Sequence, residues 1–172
     1  SGRKQQQYRK NADALAARQA EAAGAVIDYA LHMVVLRPEA DDSDLRASLA
    51  ELVALGIPSI KLFTTYRPNY YVDDATILRI FRAMPDGMIA MVHCENDSMV
   101  TAATQALVAQ GKTDWRYHAE AHPAEAEAEA VNRVLYLASL AQARVYIAHN
   151  STAMATSLVK QMRTRGDGHW DK

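Results

Sequence analysis

The chain reads as an α/β protein with a parallel sheet covered by helices, and three observations predict it. Four short apolar runs, at 25–36, 58–66, 88–92 and 144–148, are each followed by a segment of helical periodicity. The runs are continuously apolar rather than alternating, as strands buried on both faces require. The units differ in length and share no motif, so the alternation is that of β/α units and not of a solenoid repeat.

Residues 1–10 are polar and basic with a glutamine run, and read as a flexible leader. Residues 11–23 are alanine-rich and favour a helix, ended by Gly24. A first strand is expected over 25–36, stopped by Pro38. The acidic cluster at 41–44 offers an N-cap for a helix to Leu55, with Leu45, Leu49, Leu52 and Val53 on one face. Gly56 and Pro58 open the second strand. Asp73 and Asp74 cap a helix carrying Ile77, Leu78, Ile80 and Phe81, and the turn at 85–87 leads into a third strand that ends at His93. A helix over 98–110, a long loop over 111–123 and a helix over 124–140 precede the fourth strand, which ends at His149. The last helix is expected over 152–163, and 167–172 reads as a tail. One folded body is therefore assigned to 11–166.

At 172 residues and a net charge of −1, the chain can bury an ordinary core and has no electrostatic footprint for nucleic acid or an acidic membrane surface. No apolar run approaches the roughly 18 residues of a membrane span, and the N-terminus has no apolar signal core. One cysteine, Cys94, excludes an internal disulfide and fits a reducing, cytoplasmic setting.

The chemistry concentrates on three residues. Lys61 lies between Ile60 and Leu62 in the second strand, where an ammonium is costly to desolvate. It either snorkels to the strand end, meets a carboxylate, loses its proton or is converted to another group. His93 and His149 each end a strand, the position where parallel α/β proteins place ligand-binding side chains. Hydrogen-bonded core histidines and metal ligands both satisfy that spacing.

The runs I-D-Y-A-L-H-M (27–33), G-I-P-S-I-K-L-F-T-T-Y (56–66), V-D-D-A-T-I (72–77), M-V-H-C-E-N (91–96), G-K-T-D-W-R-Y-H (111–118) and V-Y-I-A-H-N-S (145–151) resemble the cyclic amidohydrolase family. Within it they are most similar to dihydropyrimidinases and D-hydantoinases, over Leu15 to Gly166. The resemblance implies about four β/α units of a TIM-type (β/α)8 barrel of the metal-dependent hydrolase superfamily. It implies hydrolysis of a small cyclic amide or imide by two divalent metal ions, usually zinc. Lys61 matches the bridging lysine carbamate, His93 and His149 match ligands of the second metal, and Tyr66 matches the tyrosine that bonds the substrate carbonyl and the oxyanion. Asn150 and Ser151 would shape the pocket, and the loop at 67–71 would gate it with its two tyrosines. Glu95 and Asn96 would fix the loop after His93, Cys94 would pack, and His118 would brace its loop or meet substrate. His32 would be a core or supporting residue within the first strand. An allantoinase- or dihydroorotase-like hydrolase is the alternative, with Tyr66 against it.

The family also carries a His-x-His pair at its first strand and an aspartate near its last. This sequence has no H-x-H, and only Asp167 and Asp171 follow Gly166. A full barrel takes about 250 residues, so the chain reads as the middle of one. It is expected to be part of a full enzyme, a piece that another chain completes, or a non-catalytic scaffold. Because an open half-barrel bares its sheet, self-association into a homo-oligomer is expected.

Overall fold

In the computed structural model the backbone is described for residues 2–164 and the side chains for 11–164, so the 167–172 tail lies outside the described residues. The order is α1 (Gly2–Glu21), β1 (Met33–Val34), α2 (Asp42–Ala54), β2 (Ser59–Phe63), α3 (Asp74–Ala83), β3 (Ile89–His93), α4 (Asp97–Ala109), α5 (His118–Ala121), α6 (Ala124–Ala141), β4 (Arg144–Ile147) and α7 (Ala153–Thr164). The four strands form one sheet in the order β1-β2-β3-β4, every pair parallel. Sequential strands lie side by side with helices between them, as in a (β/α) barrel.

The helix starts follow the expected caps. Asp41 accepts from the amides of Ser43 and Asp44 ahead of α2, and Asp73 accepts from Thr76 ahead of α3. Asn96 caps α4 through the amides of Ser98 and Met99. Each such cap contributes about 1 kcal/mol. Gly56, at φ +83°, turns α2 into β2 in a conformation that a side chain would resist.

Strand register divides the sheet into two faces. Met33, Ile60, Ala90 and Val145 align on the helix-covered face. There Ile60, Leu62, Ala90 and Val92 are fully buried against Leu45, Leu49 and Leu52 of α2, Ile77, Ile80 and Phe81 of α3, and Val131, Val134 and Leu135 of α6. Each large side chain buried this way stabilises the fold by roughly 1.5–3 kcal/mol. Val34, Lys61, Met91 and Tyr146 align on the other face, the layer that lines the inside of a barrel.

Three expectations change. The first strand is two residues long, not twelve: β1 is an edge strand, and residues before it have no ladder to join, leaving Val26 97% and Ile27 77% exposed. His32 therefore lies outside the strand, exposed, with Nδ1 2.7 Å from the Ser59 hydroxyl at the start of β2, the end of the sheet opposite His93 and His149. The first helix begins at Gly2 rather than at residue 11, within the stretch read from sequence as a leader, whose Arg, Lys and Gln residues are good helix formers. The 111–123 loop also contains a 3-10 turn at Trp115–Tyr117 and the short α5.

Candidate functional site

The carboxyl ends of β2, β3 and β4 bring the predicted residues together in two levels. Phe63 pairs with His93, and their rings lie 5.9 Å apart. After β4, Ala148 donates to Val92 O and the chain then turns through His149, whose φ is +37°. That turn puts His149 Nε2 2.8 Å from His93 Nδ1. Tyr66, at φ +71°, lays its ring 4.9 Å from that of His93. Of the three non-glycine residues with positive φ among the described residues, two are these site residues, while Gln142 is a helix C-cap. A tyrosine in the left-handed region is strained by roughly 1–2 kcal/mol, and such strain gathers at functional sites.

Lys61 stands one level below. It shares the inner face with Phe63 and His93 but precedes Phe63 by two residues, roughly 6–7 Å along the strand. It is half-buried rather than enclosed in the core, because the helix-covered face is taken by Ile60 and Leu62. Its Nζ lies 5.1 Å from the Phe63 ring centroid. Burial lowers its pKa, opposed by the nearby Cys94. Cys94 itself is buried with its thiol pushed far up by desolvation, as expected of a packing residue and not a nucleophile.

Glu95 has a larger part than sequence reading assigned to it. One carboxylate oxygen lies 2.7 Å from His93 Nε2 and the other 2.6 Å from His122 Nδ1. Burial would raise its pKa, but the hydrogen bonds from His93 and His122 outweigh burial and hold it down at about 2. The buried Thr64 hydroxyl lies 3.1 Å from the His93 carbonyl and 2.9 Å from that of Glu95, and also accepts from the Glu95 amide, locking the strand end. His118 stacks on His122 at 4.2 Å and so braces its own loop. The signal available in the sequence was the His-x-Glu spacing of His93 and Glu95, which places both side chains on one face of an extended segment.

Other predicted residues are placed as follows. Asn150 donates to the Thr156 hydroxyl, at 2.9 Å. Ser151 turns towards α6: its amide and hydroxyl lie 2.8 and 3.0 Å from Glu127 Oε1, and the Thr152 amide donates to Glu127 Oε2. In the 67–71 loop, Arg67 stacks on Tyr71 at 3.6 Å and pairs with Asp97, so only Tyr70, 5.3 Å from Phe63, stands near the site rings.

The facing His93 and His149 nitrogens fit a divalent cation. A tetrahedral ion with bonds of about 2.0–2.1 Å seats two nitrogens about 3.3 Å apart, so the pair need open only slightly. Lys61 as an ammonium would repel such an ion, and among the described residues no three His, Cys, Asp or Glu side chains form a metal-holding group. The facing pair thus offers two nitrogen donors, fewer than the four that a closed tetrahedral site takes.

No protein-family model matches the chain. It is 38% identical to a D-hydantoinase of Ralstonia pickettii over 141 residues, covering 81% of this chain and 30% of that one. Its fold superposes on a solved D-hydantoinase with TM-score 0.81 and 36% identity, over 90% of this chain and 34% of the other. For the dihydropyrimidinase of Brevibacillus agri the values are 0.76 and 35%, over 83% of this chain and 31% of the other. The chain spans about a third of the length of these relatives. By sequence and by fold alike, it aligns with the hydantoinase and dihydropyrimidinase branch of the cyclic amidohydrolases, as a portion of their (β/α)8 barrel.

Proposed function

We propose that this chain forms part of the active site of a metal-dependent hydrolase that opens cyclic amide or imide rings of the hydantoin or dihydropyrimidine type. The observation that carries the reading is the pairing of His93 and His149 at the mouth of the sheet, with Tyr66 packed against the first. His93 Nδ1 and His149 Nε2 would hold one divalent ion, zinc being the expected one. Lys61 would reach the same centre once converted to a carbamate. Its lowered pKa favours this, because carbon dioxide adds to a neutral amine and the product is an anion suited to cations. Bound metal ions supply Lewis acidity and a hydroxide near neutral pH. This chain's Tyr66 would donate a hydrogen bond to the oxygen that gains charge as the ring opens. Asn150 and Ser151 would border the substrate through the loop that Glu127 anchors. The activity belongs to a site that also needs ligands beyond His93, His149 and Lys61, in a homo-oligomeric, cytoplasmic protein.

A second reading, a non-catalytic scaffold derived from such an enzyme, is favoured by the incomplete donor set. Metal analysis of the purified protein, with mass spectrometry for a carbamate-sized adduct on Lys61, tests between them. Bound metal and the adduct support the hydrolase. Metal-free protein with unmodified lysine supports the scaffold, or a fragment whose site another chain completes.

A further inference from the structure

Glu95 follows His93 by two residues, and its carboxylate faces the rings of both His93 and His122. Its backbone is pinned by Thr64, and its side chain is almost enclosed, with both oxygens engaged by imidazole nitrogens. A carboxylate ionised at neutral pH offers only acceptors. Each imidazole nitrogen facing it must therefore carry a hydrogen: Nε2 of His93 and Nδ1 of His122. A neutral His93 bonded in this way has its lone pair on Nδ1, the atom facing His149 Nε2 at 2.8 Å. His149 must then donate through Nε2 in the metal-free protein.

We propose that Glu95 is a positioning residue: held from behind by His122, it fixes His93 as the Nε2–H tautomer and so keeps the Nδ1 lone pair aimed at the space shared with His149. This rests on the reading of His93 and His149 as a cation-binding pair. The chemistry follows from elementary acceptor counting. An outer carboxylate orients a ligating imidazole and raises its basicity, and its loss typically costs 10–100-fold in metal affinity. His122 is the second arm. By donating Nδ1–H to the other oxygen, it keeps the carboxylate from turning away from His93. A merely structural ion pair would hold the loop but would leave the His93 tautomer free.

The test uses the 172-residue protein, metal-free, with long-range proton–nitrogen NMR correlations on nitrogen-15-labelled histidines. The expected result is a His93 that is protonated at Nε2 and bare at Nδ1. In Glu95→Ala, His93 shifts to a mixture of tautomers. In His122→Phe, the shift is smaller, because one arm remains. Glu95→Gln is the isosteric variant should the alanine variant unfold; its amide oxygen serves one imidazole only, so an intermediate mixture is expected. Zinc titration by calorimetry is the second measurement, with affinity falling roughly 10–100-fold in Glu95→Ala and less in Glu95→Gln. A wild-type His93 protonated at Nδ1, or a tautomer unchanged in every folded Glu95 variant, overturns the proposal. Should the wild-type protein bind no zinc while the tautomer still follows Glu95, the positioning of His93 stands and the reading of His93 with His149 as a cation-binding pair in the chain alone falls. Equal zinc affinity in wild type and Glu95→Ala overturns the positioning role and leaves that reading intact.

Discussion

The ring of Tyr66 rests 4.9 Å from that of His93, although Tyr66 leaves β2 in a left-handed conformation that tyrosine rarely adopts. The contact is held from the backbone side, where the amides of Asn69 and Tyr70 both donate to the Tyr66 carbonyl. The Tyr66 ring thus stands beside the ring whose Nδ1 faces His149.

Tyr66→Phe keeps the ring contact and removes only the hydroxyl. If the phenol stabilises an oxyanion, kcat of ring opening in the assembled enzyme falls on the order of 10²–10³-fold with the fold intact. Burial raises the Tyr66 pKa, and the nearby Glu95 charge raises it further. The neutral phenol is the donor, so donation persists to higher pH than a free tyrosine would allow, and Tyr66 imposes no loss of rate near neutral pH. A pH–rate profile in which the Tyr66→Phe change removes an alkaline limb below pH 10 contradicts this.

His149→Ala removes one of the two facing nitrogens and leaves His93 held by Glu95. Divalent cation affinity should drop by more than the 10–100-fold typical of an outer-shell change, with secondary structure unchanged by circular dichroism. An unchanged zinc isotherm would count against the pair as a ligand site.

How much of this was legible beforehand is clear from individual residues. The caps at the 41–44 cluster and at Asp73, the order of the main helices and strands, and the meeting of His93 with His149 all follow from local signals: turn residues, apolar period and strand-end position. Residues 25–32 misled because their apolar content resembles a strand, whereas a strand exists only where a neighbour supplies hydrogen bonds, and β1 lies at an edge. Lys61 misled in depth. Its neighbours Ile60 and Leu62 are core, but alternation puts Lys61 on the opposite face, and only the sheet register shows which face the helices cover. Glu95 was underrated because its importance depends on His122, 27 residues away in a loop with no periodicity to place it.

Glu127, on α6, is a buried acid whose oxygens serve the Ser151 amide and hydroxyl and the Thr152 amide, all beside His149. Ser151 is exposed and Thr152 only half-buried, so their amides can turn to water, and Glu127→Ala should destabilise by about 0.5–1.5 kcal/mol for each hydrogen bond lost, with Glu127→Gln milder. Burial would raise the Glu127 pKa, but the hydrogen bonds from Ser151 and Thr152 win and lower it. A folded-state pKa below the unfolded value near 4.5 means the stabilisation is present above that pH and is lost as pH falls through the folded pKa. Thermal melts should therefore separate wild type from Glu127→Ala near pH 7 and bring them together in strong acid. Curves that stay equally far apart at every pH would show that the loss is packing rather than charge.

The sheet's two edges, β1 and β4, each carry an apolar residue on the inner face: Val34, 45% exposed, and Tyr146, 56% exposed. With unpaired backbone groups beside them, these edges are templates for another strand. The 172-residue chain produced alone should therefore self-associate, and size-exclusion with light scattering should give a mass above its 19.0 kDa. Replacing both residues by lysine, as Val34→Lys with Tyr146→Lys, places charges where a partner strand would dock and should move the equilibrium towards monomer without disturbing the Ile60 and Leu62 core on the other face. A wild-type chain that elutes as a stable monomer at micromolar concentration would mean that edge pairing does not drive its assembly.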